Sequence, residues 1–217
     1  MRRIDKDLKK GTVTMTARAE NTRNKILVAA ELEFSEKGLY GARVDEIAMR
    51  AGINKRMLYA HFGSKEQLYV AVIELVYERL ARFEEPLLQR TDGSAEQQLR
   101  TLIHSYFAFL SQTPSFVRIV MWENLGSAQY LRASNAMNAK GVTLELLRKT
   151  LQTGVKNREF RADIDLEEAL LSINLFCFSY FSNMSTLTQI TQTDLAQNTQ
   201  IRKRADHVAD VILKYLK

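Results

Sequence analysis

The sequence predicts an all-α fold of about nine helices. Three observations carry that prediction. Apolar residues recur at helical spacing in one segment after another, and no segment shows sustained strand alternation. Helix signals bracket those segments: Ser64, Ser94 and Asp165 stand before them, and Gly38 and Gly126 stand after. Only 2 Pro and 9 Gly occur in 217 residues, too few for the turn-dense texture of an all-β domain.

Residues 1–21 are polar and charged without sustained periodicity and are expected to form a flexible basic arm. From Thr22 the pattern is helical, with Ile26, Ala30 and Phe34 on one face and Gly38 as the stop. Two short helices follow. Val44, Ile47 and Ala48 give the first its apolar face, and Gly52 supplies the freedom for a sharp turn. Asn54 is placed to cap the second, whose Leu58 and Phe62 face inward. Ser64, with Gln67, opens a helix to about Arg90 that bends near Pro86. Ser94 caps another, rich in Leu99, Ile103, Phe107 and Leu110, and Pro114 starts a shorter one that ends at Gly126. A long helix is expected from about Ala128 to Lys156. Asp165 with Glu168 opens the apolar helix Leu166 to about Gln189, and the last helix runs from roughly Asp194 to Leu216. The organisation is an arm at 1–21, a head at 22–67 and a larger helical domain at 68–217.

Composition narrows the function. One cysteine, Cys177, excludes an internal disulfide and a four-cysteine metal site, and fits a cytoplasmic protein. No apolar run follows the basic N-terminus, and the most apolar segment, residues 169–181, is too short to span a bilayer. The three histidines, His61, His104 and His207, lie far apart with no metal-ligand spacing, and there is no Gly-rich phosphate loop. Catalytic residues, metal ligands and cofactors are therefore expected to be absent.

Charge points to the partner. Residues 1–65 hold fourteen Lys and Arg against eight Asp and Glu, an excess equal to the +6 of the whole chain. All the net positive charge lies with the paired short helices, which suits a polyanion. Burying Leu58 and Phe62 leaves Lys55, Arg56, Tyr59 and His61 on the outer side of the second helix. A helix-turn-helix with that outer face is built to read DNA.

The stretches ILVAAELEFSEKG and VDEIAMRAGINKRMLYAHFGSKEQL resemble the N-terminal signature of the tetracycline-repressor (TetR) family of bacterial transcriptional regulators. The resemblance implies that Asn54, Lys55 and Arg56 begin a recognition helix in the major groove. Lys and Arg donate to guanine and Asn pairs with adenine, so the chemistry agrees. It also places Tyr59, His61 and Lys65 where phosphates are gripped. Lys65 sits at a helix N-terminus, which already favours an anion. Two residues depart from the family pattern. Ala42-Arg43 stands where Ser or Thr often caps the first helix of the motif, so the cap is lost while Arg43 gains a phosphate contact. Ala60 replaces a larger aromatic.

The family resemblance further implies a dimer on a palindromic operator, released by a small molecule bound in the C-terminal domain. One recognition helix reads only a few base pairs, so two are needed. The last two helices, about 166–189 and 194–216, are the expected dimer interface. His104, Tyr106, Phe107, Trp122, Glu123, Asn174, Cys177, Phe178 and Phe181 are the candidate effector-lining residues, an aromatic set with a few polar groups. The residues also fit an activator, or a ligand-independent or architectural DNA-binding protein.

Overall fold

The structure, a computed structural model, describes the backbone of residues 4–88 and 93–217, and side chains over 19–87, 93–136 and 144–217. The side chains of most of the expected arm, 1–21, lie outside the described residues. Among the described residues there are eleven α-helices and no strand. They are α1 (Ile4–Gly41), α2 (Val44–Ala51), α3 (Lys55–Phe62), α4 (Lys65–Leu88), α5 (Ala95–Gln112), α6 (Pro114–Leu125), α7 (Gln129–Ala133), α8 (Ala136–Lys156), α9 (Leu166–Ser182), α10 (Met184–Thr191) and α11 (Asn198–Leu216).

The expected count of about nine is corrected to eleven, because two long helices each divide. The helix expected from Ala128 to Lys156 breaks at Ser134. Its hydroxyl donates to the Leu131 carbonyl and accepts from the Ala136 N–H, so α7 ends and α8 starts on one side chain. The helix expected to reach Gln189 breaks at Asn183, whose Nδ2 turns back to the Ser179 carbonyl and whose ψ is 8°. The last helix starts at Asn198, not Asp194. Asp194 makes a local turn instead, accepting from the Ala196 N–H and from Gln197 Nε2. Short polar side chains outcompete the helical ladder at all three places.

Gly38 does interrupt α1, with φ 65° and ψ 179°, but one further turn follows before Ala42. The full capping box forms at Ser94 and Gln97, and the Asp165 carboxylate accepts from the Glu167 and Glu168 N–H groups.

α1 packs against α2, α4 and α6, while α4 continues along α8. α5 lies against α11, α8 and α9, completing the larger domain. Ile26, Phe34, Ile47 and Leu58 of the head share one buried cluster with Leu68, Tyr69, Val72 and Ile73 of α4. Each fully buried side chain of this size stabilises the fold by roughly 1.5–3 kcal/mol. The head is therefore held by α4 on one side and by α6 on the other.

Candidate nucleic-acid interface

α3 is short, and two residues fix its roll. Leu58 is fully buried and Phe62 nearly so, four positions apart. The guanidinium of Arg23 in α1 sits 5.1 Å from the Phe62 ring centre, pinning the far end of the helix. The face opposite is exposed and carries Lys55, Arg56 and Tyr59.

Asn54 caps α3: its Oδ1 accepts from the Met57 N–H at 2.8 Å. A bidentate pair with adenine needs that oxygen as well as Nδ2. The cap takes one lone pair of that oxygen and holds the amide against its own helix, so Asn54 positions α3 and keeps Nδ2 available to donate outward. Lys55 Nζ is 3.1 Å from Asp45 Oδ1 of α2, with both groups about half exposed. Such a surface pair is worth under about 1 kcal/mol and yields readily to a phosphate or base. Arg56 is exposed and has no hydrogen bond or ion pair among the described residues. Tyr59 is 38% exposed, His61 half-buried beside Phe62, and Lys65 half-buried at the first position of α4.

Arg43 occupies the cap position of α2 in extended conformation with no side-chain cap, as its sequence implies. Support for this end of α2 comes from another helix. Glu33 of α1, fully buried, accepts from the Arg43 N–H at 3.2 Å and from Lys37 Nζ at 2.8 Å, with Arg50 3.6 Å away. Burial pushes the Glu33 carboxyl up, but the Lys37 hydrogen bond, the Arg43 N–H and the two cationic charges together hold it below 4.5. A carboxylate under the positive end of α2 favours its dipole and satisfies the Arg43 N–H, without taking the first-turn N–H groups that a Ser or Thr cap accepts. Sequence reading missed Glu33 because, Lys37 apart, its partners Arg43 and Arg50 lie ten and seventeen residues away.

The nine effector-lining candidates do not converge on one cavity. Tyr106 and Asn174 meet between α4, α5, α8 and α9, with Leu80, Glu84, Leu102, Ile103, Leu147 and Ile173. That cavity measures only about 30 Å³, room for one water. Burial, first, and the nearby Cys177, Tyr77 and Glu84 push the Tyr106 phenol far up, so it stays a hydroxyl. Cys177 is fully buried in the same region, its thiol pushed up by burial to about 12. Phe107 is core, in ring contact with Phe181 at 5.5 Å, and Phe178 packs at the core's edge. His104 pairs with Asp206 of α11 at 3.0 Å.

Trp122 and Glu123 lie elsewhere, where α6 meets the head. Trp122 Nε1 donates to the Ser35 carbonyl of α1 at 3.3 Å. Glu123 is buried, accepts from the Tyr130 and Leu131 N–H groups of α7, and bonds to the Tyr69 hydroxyl of α4. Beside them Glu31 of α1 takes a two-pronged contact from Arg79 of α4, at 2.7 and 2.8 Å, and a hydrogen bond from Ser115 of α6 at 2.6 Å. Burial raises the Glu31 carboxyl, and the Arg79 and Ser115 hydrogen bonds more than offset it, so its pKa falls below 4.5. One carboxylate thus ties together three helices from both parts of the chain.

A basic helix-turn-helix head braced by a larger all-helical domain defines a DNA-binding regulator of the one-component kind. Comparison with known proteins gives the family. Residues 26–72 match the family model described as bacterial regulatory proteins, tetR family, and residues 96–212 match the tetracyclin repressor-like C-terminal domain. The chain is 34% identical over 201 residues to the HTH-type transcriptional repressor NicS of Pseudomonas putida, covering 92% of this chain and 94% of that one. It is also similar to the transcriptional activator FasR of Mycolicibacterium smegmatis, 35% identical over 101 residues and 46% of each chain. Among solved structures it resembles the regulator FadR of Bacillus subtilis in complex with stearoyl-CoA. That match has a TM-score of 0.68 at 19% identity and covers 89% of this chain and 98% of that one. The TetR-family regulator PfmR of Thermus thermophilus superposes with a TM-score of 0.70 at 22% identity, over 88% and 95% of the two chains. The chain belongs to the TetR family and is a DNA-binding transcriptional regulator.

Proposed function

We propose that this regulator represses transcription by binding a palindromic operator as a homodimer, and that a small-molecule effector releases it. The observation that carries the DNA reading is α3. Leu58 and Phe62 lock its inner face into the core, and its outer face presents Arg56 without a partner among the described residues. In this reading Arg56 and Lys55 read bases, while Arg43, Tyr59, His61 and Lys65 hold phosphates. Asn54 contributes through the cap and through its Nδ2 amide group.

The dimer forms through α9 and α11. Leu171 and Leu175 on α9 and Val211 and Tyr215 on α11 are each spaced by four and exposed by 38–56%, an apolar stripe a four-helix contact would cover. The effector enters the closed cavity around Tyr106 and Asn174 by parting α4, α5, α8 and α9. Moving α4 disturbs the Arg79–Glu31 contact and so reorients α1 and the head. NicS, a repressor by name, supports the sign of regulation.

The test is a binding-site selection with purified protein, followed by operator binding against a metabolite panel. A palindromic consensus and loss of binding with at least one compound are the expected results. Equal affinity for all sequences overturns the operator reading, and no release by any compound overturns the effector reading.

A further inference from the structure

A second cleft, separate from the Tyr106 cavity, opens between α9, α10 and α11. It has a volume of about 450 Å³ and is lined by Tyr180, Leu187, Thr191, Leu195, Lys203 and Arg204, with His207 at its edge. Two cations face it and no carboxylate does. Arg204 is the unusual member. Its Nε is buried with no hydrogen-bond partner, and the residue has no ion pair among the described residues. Its charge reaches Cys177 and Tyr180, opposing the upward push of burial on both. The acid whose charge acts on Tyr180, Asp194, is engaged with the Ala196 N–H and Gln197. Tyr180 is likewise committed, donating to the Leu195 carbonyl at 2.8 Å.

A guanidinium cannot shed its proton, so a partly buried one without a counter-ion is an uncompensated cost. Its planar fork matches a carboxylate. Leu187 and Leu195 supply apolar wall for the body that carries the carboxylate.

We propose that this α9–α10–α11 cleft binds a small organic carboxylate, paired to Arg204 and supported by Lys203, with its hydrocarbon or ring against Leu187 and Leu195. The site goes beyond the effector reading above and does not depend on it, because it is measured as direct binding without DNA.

The experiment is isothermal titration calorimetry of the full chain with benzoate and hexanoate, against benzamide, hexanamide and inorganic phosphate. One saturable site per chain is expected for the carboxylates, with the amides and phosphate at least tenfold weaker. Arg204→Gln should abolish that site while melting no lower than wild type, and Thr191→Trp, which fills the cleft from its exposed rim, should also abolish it with Arg204 intact. Equal binding of carboxylate and amide, phosphate binding as tight as hexanoate, or carboxylate binding untouched by both variants overturns the proposal. So does an absence of carboxylate binding; a change in the dimer fraction of Arg204→Gln by light scattering would then assign Arg204 to a subunit contact.

Discussion

The indole of Trp122 in α6 lies against Gly38 in α1 so closely that a Cβ there would fall 2.8 Å from its Cδ2. The same ring donates to Ser35 one turn earlier. Gly38 also holds φ 65° with ψ 179°, a conformation almost closed to other residues. Gly38→Ala therefore meets both backbone strain and overpacking, about 1–3 kcal/mol each. A fall in melting temperature of roughly 5–15 °C is expected for a chain of this size. An unchanged melting temperature would show that α6 can step back from α1 at no cost.

The Glu31–Arg79 contact predicts a measurable coupling. Arg79 is 40% exposed at its side chain, so its contribution is discounted for solvent and set at about 1–2 kcal/mol. A double-mutant cycle with Glu31→Gln and Arg79→Met checks it by denaturant unfolding. The single variants should also shift operator affinity, because the contact joins α1 to α4. Additive effects on stability would remove Glu31 as a tie between the two parts.

Acid sensitivity follows from Glu31 and Glu33. Both carboxyls lie below their ordinary 4.5 in the folded chain. Their stabilisation is thus fully present above that value and is lost as pH falls through the lower folded values. Unfolding free energy should drop below about pH 4.5. Glu33→Gln should be less stable at pH 7 yet lose less on acidification. Parallel pH curves for the two proteins would contradict the assignment.

Four variants separate the roles around α3. Arg56→Ala should lose sequence preference, whereas Lys65→Ala should weaken binding to all DNA and lower the salt slope by about 1. Asn54→Asp keeps the cap oxygen but adds a charge, so it should melt near wild type and bind DNA poorly. Asn54→Ala should cost about 1 kcal/mol of stability. Fluorescence anisotropy at two salt concentrations, with circular dichroism melts, reads all of these.

Leu175→Glu places a charge in the exposed α9 stripe without touching the core. Light scattering should show a shift from dimer to monomer and operator affinity should fall. A variant that remains dimeric at micromolar concentration would move the interface off α9.

Much of this was legible in the chain itself. The head reads directly, because Val44, Ile47 and Ala48 in one helix and Leu58 and Phe62 in the next are each at helical spacing, and Gly52 and Asn54 punctuate them within a few residues. Local chemistry of that kind is set by neighbours in sequence. The breaks at Ser134 and Asn183 were not legible, since the same polar residues often sit inside helices with their side chains in solvent. Trp122 and Glu123 look like pocket residues in sequence, an aromatic beside an acid. Only the approach of α6 to α1 and of α7 to α4 shows them holding the joint between the two parts.

The sequence by itself determined the all-α class, the recognition helix and the concentration of positive charge at or before Lys65, because periodicity, capping and charge are local properties. The tertiary structure decided the rest. It brought Glu33 under α2, tied Glu31 to Arg79 and Ser115, left only a small cavity at Tyr106, and left Arg204 without a counter-ion among the described residues. Each depends on which helices meet, and side chains 48 or 84 residues apart, as in the Glu31 contacts, carry no mark of one another in the chain.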